Sequence, residues 1–172
     1  MPNKLSVAES RVLELIQGAA FHVPGVLSTA RGLSHWGEHA LGWMGSAAVG
    51  AGIDKRRREG WVRVGAAAFL AHAASVVLKR IVRRKRPDYP YVRVGVKTPS
   101  KLSFPSSHAT STTAFLVAVS RLTGRKAPLL GVPVMMASRM VLGVHYPTDT
   151  AVGAAIGAAT AEVVMKGMKH ER

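Results

Sequence analysis

The sequence predicts an all-α fold, a multi-pass transmembrane bundle of about five spans preceded by an amphipathic helix at the membrane interface. Three observations carry this. Hydrophobic residues make up 48% of the 172 and aromatics only 6%, so Ala and Gly supply much of the apolar count. Small residues fill contacts between membrane helices, where backbones approach closely. Five apolar stretches follow one another, and clusters of basic residues separate them.

The chain opens on a helical pattern from residue 6 to about 20, with Leu5, Ala8, Val12, Leu15, Ile16 and Ala19 near the helical period. Ser6 and Glu9 have capping-box spacing at its start. Such a helix packs on a core or lies in the interface, and the stretches downstream favour the interface. Glu9, Arg11 and Glu14 interrupt the apolar core of a signal peptide, so the internal helices are expected to take the chain into the membrane. The apolar stretches run 36–53, 61–78, 109–122, 127–144 and 148–165. A span needs about 20 apolar residues, and several of these are shorter or carry an ionisable group. Each alone fits a buried helix of a soluble protein; five in series fit a compact membrane bundle. Gly153 and Gly157 make a Gly-x-x-x-Gly step in the last, suited to internal packing or to a homo-oligomer face. No linker or repeat divides residues 1–172, so a single domain is expected.

The formal charge is +15, from 24 Lys and Arg against 9 Asp and Glu. That excess suits an anionic partner: nucleic acid, an anionic membrane surface or a phosphorylated substrate. Nucleic acid is set aside, because no recognition motif is present and the apolar stretches would go unexplained. A nucleic-acid binder comes off membranes in high salt, whereas a spanning bundle needs detergent. The chain has no cysteine, which excludes disulfides, thiolate catalysis and zinc–thiolate sites.

Three short motifs carry chemistry. The first is Lys79, six residues, then Arg86-Pro87, in a basic segment from Lys79 to Lys101. Lys79 ends an apolar helix and Arg86 offers a planar fork for a phosphate. Arg80, Arg83, Arg84 and Lys85 read as solvated or headgroup-facing charges. The second is Pro105-Ser106-Ser107-His108, just before an apolar helix. Hydroxyls and free amides at a helix N-terminus bind anions, and a histidine there donates a proton to a leaving oxygen. By itself the tetrapeptide reads more readily as a capping serine beside an incidental histidine.

The third is Ser138-Arg139, five residues, His145, three residues, Asp149. Arg139 interrupts an apolar stretch, where a charge is expensive unless it serves a site. Asp149 is placed to orient His145 and fix its tautomer, or simply to favour a helix N-terminus. Together the motifs supply cations, two histidines and one carboxylate, the set that phosphoryl transfer needs. No carboxylate cluster offers a magnesium site, so neither metal nor other cofactor is expected. If the third and fourth stretches span the membrane, all three motifs meet on one face.

In order and spacing these motifs resemble the three signatures of the type 2 phosphatidic acid phosphatase (PAP2) superfamily, which also contains vanadium haloperoxidases. The motif core is 79–149. The resemblance implies a haloperoxidase-like helical core and a metal-independent lipid phosphatase working through a phosphohistidine. It makes His145 the nucleophile, Asp149 its orienting partner and His108 the general acid. Lys79, Arg86 and Arg139 would hold the phosphate with Ser106 and the Ser106–Ser107 backbone. Where the family usually carries Gly this chain has Ser107, and a positive φ there would strain it. Membrane members usually have six spans; here the short first helix takes the place of one. The small basic form is similar to actinobacterial members acting on decaprenylphosphoryl-ribose 5-phosphate in arabinan precursor synthesis. Phosphatidylglycerophosphate, phosphatidate and polyprenyl pyrophosphates are the alternative substrates. A basic anion-binding membrane protein is the non-enzymatic alternative.

The partners expected are therefore the cell membrane bilayer and a phosphorylated lipid. With five spans, basic residues 55–58, 125–126 and the C-terminal tail share the face opposite the site. The positive-inside rule then leans towards an outward-facing site, although the site face is nearly as basic.

Overall fold

The computed structural model describes residues 4–166, and these contain helices and no strand. The helices are α1 (Lys4–Ala20), α2 (Val26–Trp36), α3 (Leu41–Ile53), α4 (Arg58–Val82), α5 (Ser107–Thr123), α6 (Gly131–Val141) and α7 (Pro147–Met165). The five apolar stretches become α3 to α7. The first is shorter than expected, because the chain turns at Gly37 and passes through left-handed His39 and Ala40 before α3 begins. The fourth opens as a 3-10 turn, Ala127–Leu130, before it becomes α6. Helix α2 was not expected. Its signal is the run Val26, Leu27, Ala30 and Leu33, at helical spacing on one face just after Pro24-Gly25.

Helix α5 is the central element, packed on both α7 and α4, which also touch each other, with α3 beyond α4. The buried residues of this core are mostly small: Ala47, Ala67, Ala68, Ala71, Ala114, Ala118 and Ala161, with Val64, Phe115 and Met165. The Gly153–Gly157 step is used inside the chain. A methyl group at Gly157 would overlap the carbonyl of Thr110, so α7 touches the backbone of α5 there.

The large apolar residues point outward. Ile53 is 80% exposed, Ile81 69% and Val163 73%, and Val49, Val62, Phe69, Val77, Leu130 and Val134 are exposed with them. A soluble protein exposes no such belt around a core of alanine. In hydrocarbon the arrangement is natural, since leucine and valine gain nothing by leaving lipid and close helix packing gains dispersion. Among the described residues, the segment 55–82 is long and apolar enough to cross a bilayer alone, and the apolar helix 127–141 is shorter.

Helix α1 is built the same way round. It buries Glu9, Ser10, Leu13 and Gln17 against the rest of the chain and leaves Leu15 74% exposed. The capping box expected at Ser6 and Glu9 is not formed: α1 already begins at Lys4, and both side chains turn to Arg84 instead. Gln17 Nε2 donates to the carbonyls of Arg93 (2.7 Å) and Val141 (2.9 Å), and its Oε1 accepts from Arg93 N at 2.9 Å. One amide thus ties α1 to the long 83–106 segment and to the end of α6.

Candidate active site

The three motifs meet at one end of the bundle, around a cavity of about 550 Å³ whose lining includes Lys79, Arg86, Ser107, His108, Arg139 and His145. Each arrives from a different element. Lys79 sits in the last turn of α4, Ser107 and His108 in the first turn of α5, Arg139 in the last turn of α6. His145 lies in the tight turn from α6 to α7. Gly143 makes that turn possible at φ +67°, where a side chain would also strike the Arg93 carbonyl.

His145 is buried, and its two ring nitrogens have different neighbours. Arg86 Nη1 lies 3.1 Å from Nε2. A guanidinium only donates, so Nε2 must carry the lone pair and Nδ1 the proton. Nδ1 faces Asp149 Oδ2 at 3.6 Å, beyond hydrogen-bond length. The orienting bond expected between them is therefore open. The cause is local: Asp149 is the third residue of α7, and its Oδ2 accepts from Tyr146 N at 2.9 Å. Burial lowers the pKa of His145 well below the ordinary histidine value, and the cations Arg86, Arg139 and Lys79 push it the same way. The ring is thus a neutral imidazole at pH 7 with Nε2 towards the cavity cations, the form a nucleophile needs.

Arg139 is 1% exposed, and its Nε and Nη1 have no hydrogen-bond partner among the described residues. Burying an unpaired guanidinium costs several kcal/mol, so its place at the cavity points to an anion. Arg86 is braced by the carbonyls of Ser100 (from Nε, 2.8 Å) and Val144 (from Nη1, 2.6 Å), while Nη2 has no hydrogen-bond partner among the described residues. Burial brings its pKa down to about 10, which still leaves it charged at neutral pH.

Lys79 is used differently from the phosphate-holding role expected of it. Nζ donates to Pro105 O at 2.9 Å and to Ser103 O and Leu102 O at 3.3 Å, which takes up all three protons. It fastens the segment before α5 and contributes its charge from behind. Ser106 is likewise engaged. It is the N-cap of α5, accepting from Ala109 N at 3.4 Å, and its own amide donates to Asp149 O at 3.0 Å. Ser107 and His108, the first two residues of α5, line the cavity at this helix start. Ser107 is the first residue of α5 and is not among the residues with positive φ, so the strain a serine would suffer there does not arise. Its hydroxyl lies 2.8 Å from that of Ser75 on α4.

His108 Nε2 lies 2.8 Å from the carbonyl of Ser34 on α2. A carbonyl only accepts, so Nε2 holds the proton and Nδ1 is the basic atom. Helix α2 therefore sets the tautomer of the expected general acid.

Arg84 is the residue whose role the sequence hid. Its Nη1 donates to Asp149 Oδ1 at 2.9 Å, its Nη2 to Glu9 Oε2 at 2.5 Å, and its guanidinium stacks on the Tyr146 ring at 3.9 Å. Glu9 in turn accepts from Thr148 N at 2.8 Å, capping α7 from outside. In a run of six basic residues among eight, nothing marks Arg84 as the one turned inward; of the two acids on α1, Glu9 is the one buried. Removing it strands two buried carboxylates, so Arg84→Ala is expected to cost about 3 kcal/mol. It should lower the unfolding temperature in detergent and cut turnover together; unchanged stability would show the bridge to be dispensable.

Residues 60–172 match the PAP2 superfamily, and the chain belongs to that family of phosphatases. It is 51% identical over 164 residues to the decaprenylphosphoryl-5-phosphoribose phosphatase of Mycobacterium tuberculosis, covering 95% of this chain and 93% of that one. With the protein of the same name from Mycolicibacterium smegmatis it shares 57% over 145 residues, covering 84% and 81%. Its fold is similar to the crystal structure of a transmembrane PAP2-type phosphatidylglycerolphosphate phosphatase from Bacillus subtilis. The TM-score is 0.70 at 22% identity, over 96% of this chain and 90% of the other.

Proposed function

We propose that the chain removes the 5-phosphate of a decaprenylphosphoryl-5-phosphoribose, in a bilayer, through a phosphohistidine on His145. The observation that carries the chemistry is Arg139, buried with unpartnered donors beside a histidine whose Nε2 is free of its proton. The substrate comes from the relatives' name, supported by identity across nearly the whole chain.

The phosphate seats between Arg139, Arg86 and the amides of Ser107 and His108. Arg86 exchanges its contact with Nε2 for a phosphate oxygen, which frees the lone pair to attack. The P–O bond to the sugar breaks as the N–P bond forms; His108, whose pKa burial lowers to about 3, must first take up a proton at Nδ1 beside the bound phosphate dianion, and it gives that proton to the departing alkoxide. Neutral His108 then takes a proton from water as that water attacks phosphorus, releasing inorganic phosphate and restoring His145. Asp149 holds the Nδ1 proton, closing its 3.6 Å gap as positive charge grows on the ring. The cations neutralise the equatorial oxygens, the work a metal does elsewhere.

The test is phosphate release by the purified protein in detergent with EDTA present. The panel holds decaprenylphosphoryl-5-phosphoribose, phosphatidylglycerophosphate, phosphatidate and a polyprenyl pyrophosphate. Fastest release from the first, undiminished by EDTA, is the expected result. Preference for another lipid overturns the substrate, and a need for divalent metal overturns the mechanism.

Helices α3 to α7 form five spans in this reading, with α1 lying in the interface on its Leu5, Val12 and Leu15 face. Residues 55–58 and 125–126 lie at the far ends of α4 and α5 from the site, and the positive-inside rule puts them in the cytoplasm. Of the C-terminal tail used in the same reasoning, residues 167–172 lie outside the described ones. The site then faces outward. Because the chain has no cysteine, single cysteines at Lys97 and Arg125 report this directly. An impermeant maleimide applied to whole cells is expected to label Lys97→Cys and spare Arg125→Cys; the reverse pattern puts the site inside.

A further inference from the structure

Six cationic side chains line the cavity, and the reaction described above uses half of them. Lys79, Arg86 and Arg139 form the inner set. Arg80, Arg83 and Lys97 line the same space, are exposed, and make no ion pair or side-chain hydrogen bond among the described residues. Glu38 is the one acid in the lining. One phosphomonoester brings at most two negative charges, which the inner set already meets. A second cationic tier therefore calls for a second anionic group on the same ligand.

The placement of the tier indicates where that group sits. Arg83 is the residue after α4, one turn beyond Lys79, and its amide donates to the Lys79 carbonyl at 3.1 Å. A helical turn rises about 5.4 Å, comparable to the reach of a pentose between its ends. Arg83 takes the left-handed conformation, φ +54°, at this point. A bulky residue there is uncommon, and a glycine would serve the turn alone. Lys97 approaches from the other side, in the segment Val96 to Ser100 that walls the cavity.

We propose that Arg80, Arg83 and Lys97 form an outer phosphate subsite that holds a phosphodiester while the inner set processes a phosphomonoester one sugar length away. The subsite rests on the substrate class proposed above and makes it more specific. The ligand must carry two phosphates, a terminal monoester and an internal diester leading to the lipid chain. A lipid with a lone monoester fills the inner set only. The outer groups touch no reacting atom; they choose the substrate by charge and set its depth.

The test is a triple variant, Arg80→Gln/Arg83→Gln/Lys97→Gln, beside the wild type in neutral detergent micelles. Both are assayed on decaprenylphosphoryl-5-phosphoribose and on phosphatidate, which has no diester. With the doubly phosphorylated lipid, kcat/KM is expected to fall about tenfold or more, mostly through KM, as charge-assisted contacts are lost. With phosphatidate it should change less than about threefold, and that residual turnover shows the variant to be folded. An equal fall on both lipids overturns the subsite in favour of a general attraction to anionic surfaces, and no fall on either overturns it outright. A variant without turnover is replaced by Arg80→Gln and Lys97→Gln singly, judged by the same ratio. A wild type that favours phosphatidate overturns the substrate reading itself, an outcome separate from a wild type that favours the double phosphate and a variant that does likewise.

Discussion

Phosphate release is expected to fall by about 10⁴-fold or more when His145 is replaced by alanine, leaving the fold intact. Among the described residues the side chain makes a single hydrogen-bond-length contact, to Arg86, and its Nδ1 makes none, so little structure depends on it. What is lost is the nucleophile, and no nearby group replaces it. The covalent intermediate offers a second readout. In His108→Ala formation slows with loss of the proton donor and hydrolysis with loss of the acceptor, so radiolabelled phosphate that is transferred from substrate should persist on the protein. That label should survive base and be lost in acid, as a phosphoramidate is. Label on His145→Ala would place the nucleophile elsewhere. The pH profile bears on the same ring. Its pKa lies well below the ordinary histidine value, so kcat/KM should not fall with His145 protonation as pH drops through 6.5. The stability linkage has the opposite consequence for the fold. The unfolded chain takes up this proton near pH 6.5 and the folded chain does not, so the native state loses stability as pH falls below that value.

Arg139→Met is the second large effect, and it should separate activity from stability. Turnover is expected to drop roughly 10³-fold, because the guanidinium meets charge that builds on phosphate oxygens in the transition state. The apparent unfolding temperature should hold or rise. A buried cation with two unpartnered nitrogens destabilises the folded protein, and methionine of similar length removes that cost. Arg139→Lys should not rescue turnover, since an ammonium cannot reproduce the two-pronged contact. A fall of several degrees in Arg139→Met would show that the residue serves the fold rather than an anion. The side chain was legible in the sequence for the same energetic reason: nothing but a ligand justifies it in an apolar helix.

The cluster that lines the cavity was readable because its members are chemically out of place or tightly spaced. Arg139 in an apolar run, two histidines and the Lys79–Arg86 step each break a pattern. The helices α3 to α7 were readable because charge clusters bound them. Roles were harder to read than positions. Lys79 and Ser106 were expected to hold phosphate, and they are occupied by backbone groups of the 102–109 segment, a choice that only tertiary folding makes. Helix α2 is short and moderately polar, so its part in fixing His108 through Ser34 left no trace in the pattern. Arg84 and Glu9 are separated by 75 residues, and no local period reports such a pair.

That separation has a consequence for how the protein is made. Helix α1 leaves the ribosome first, yet every polar group it buries is met by chain that comes much later. Glu9 finds Arg84 75 residues on and Thr148 139 residues on, and Gln17 reaches Val141 across 124 residues. Until α7 is inserted, Glu9 lacks the Thr148 amide, while its partner Arg84 and the Gln17 partners Arg93 and Val141 have already been made. The docked position of the first helix is therefore complete only when α7 brings Thr148 to Glu9.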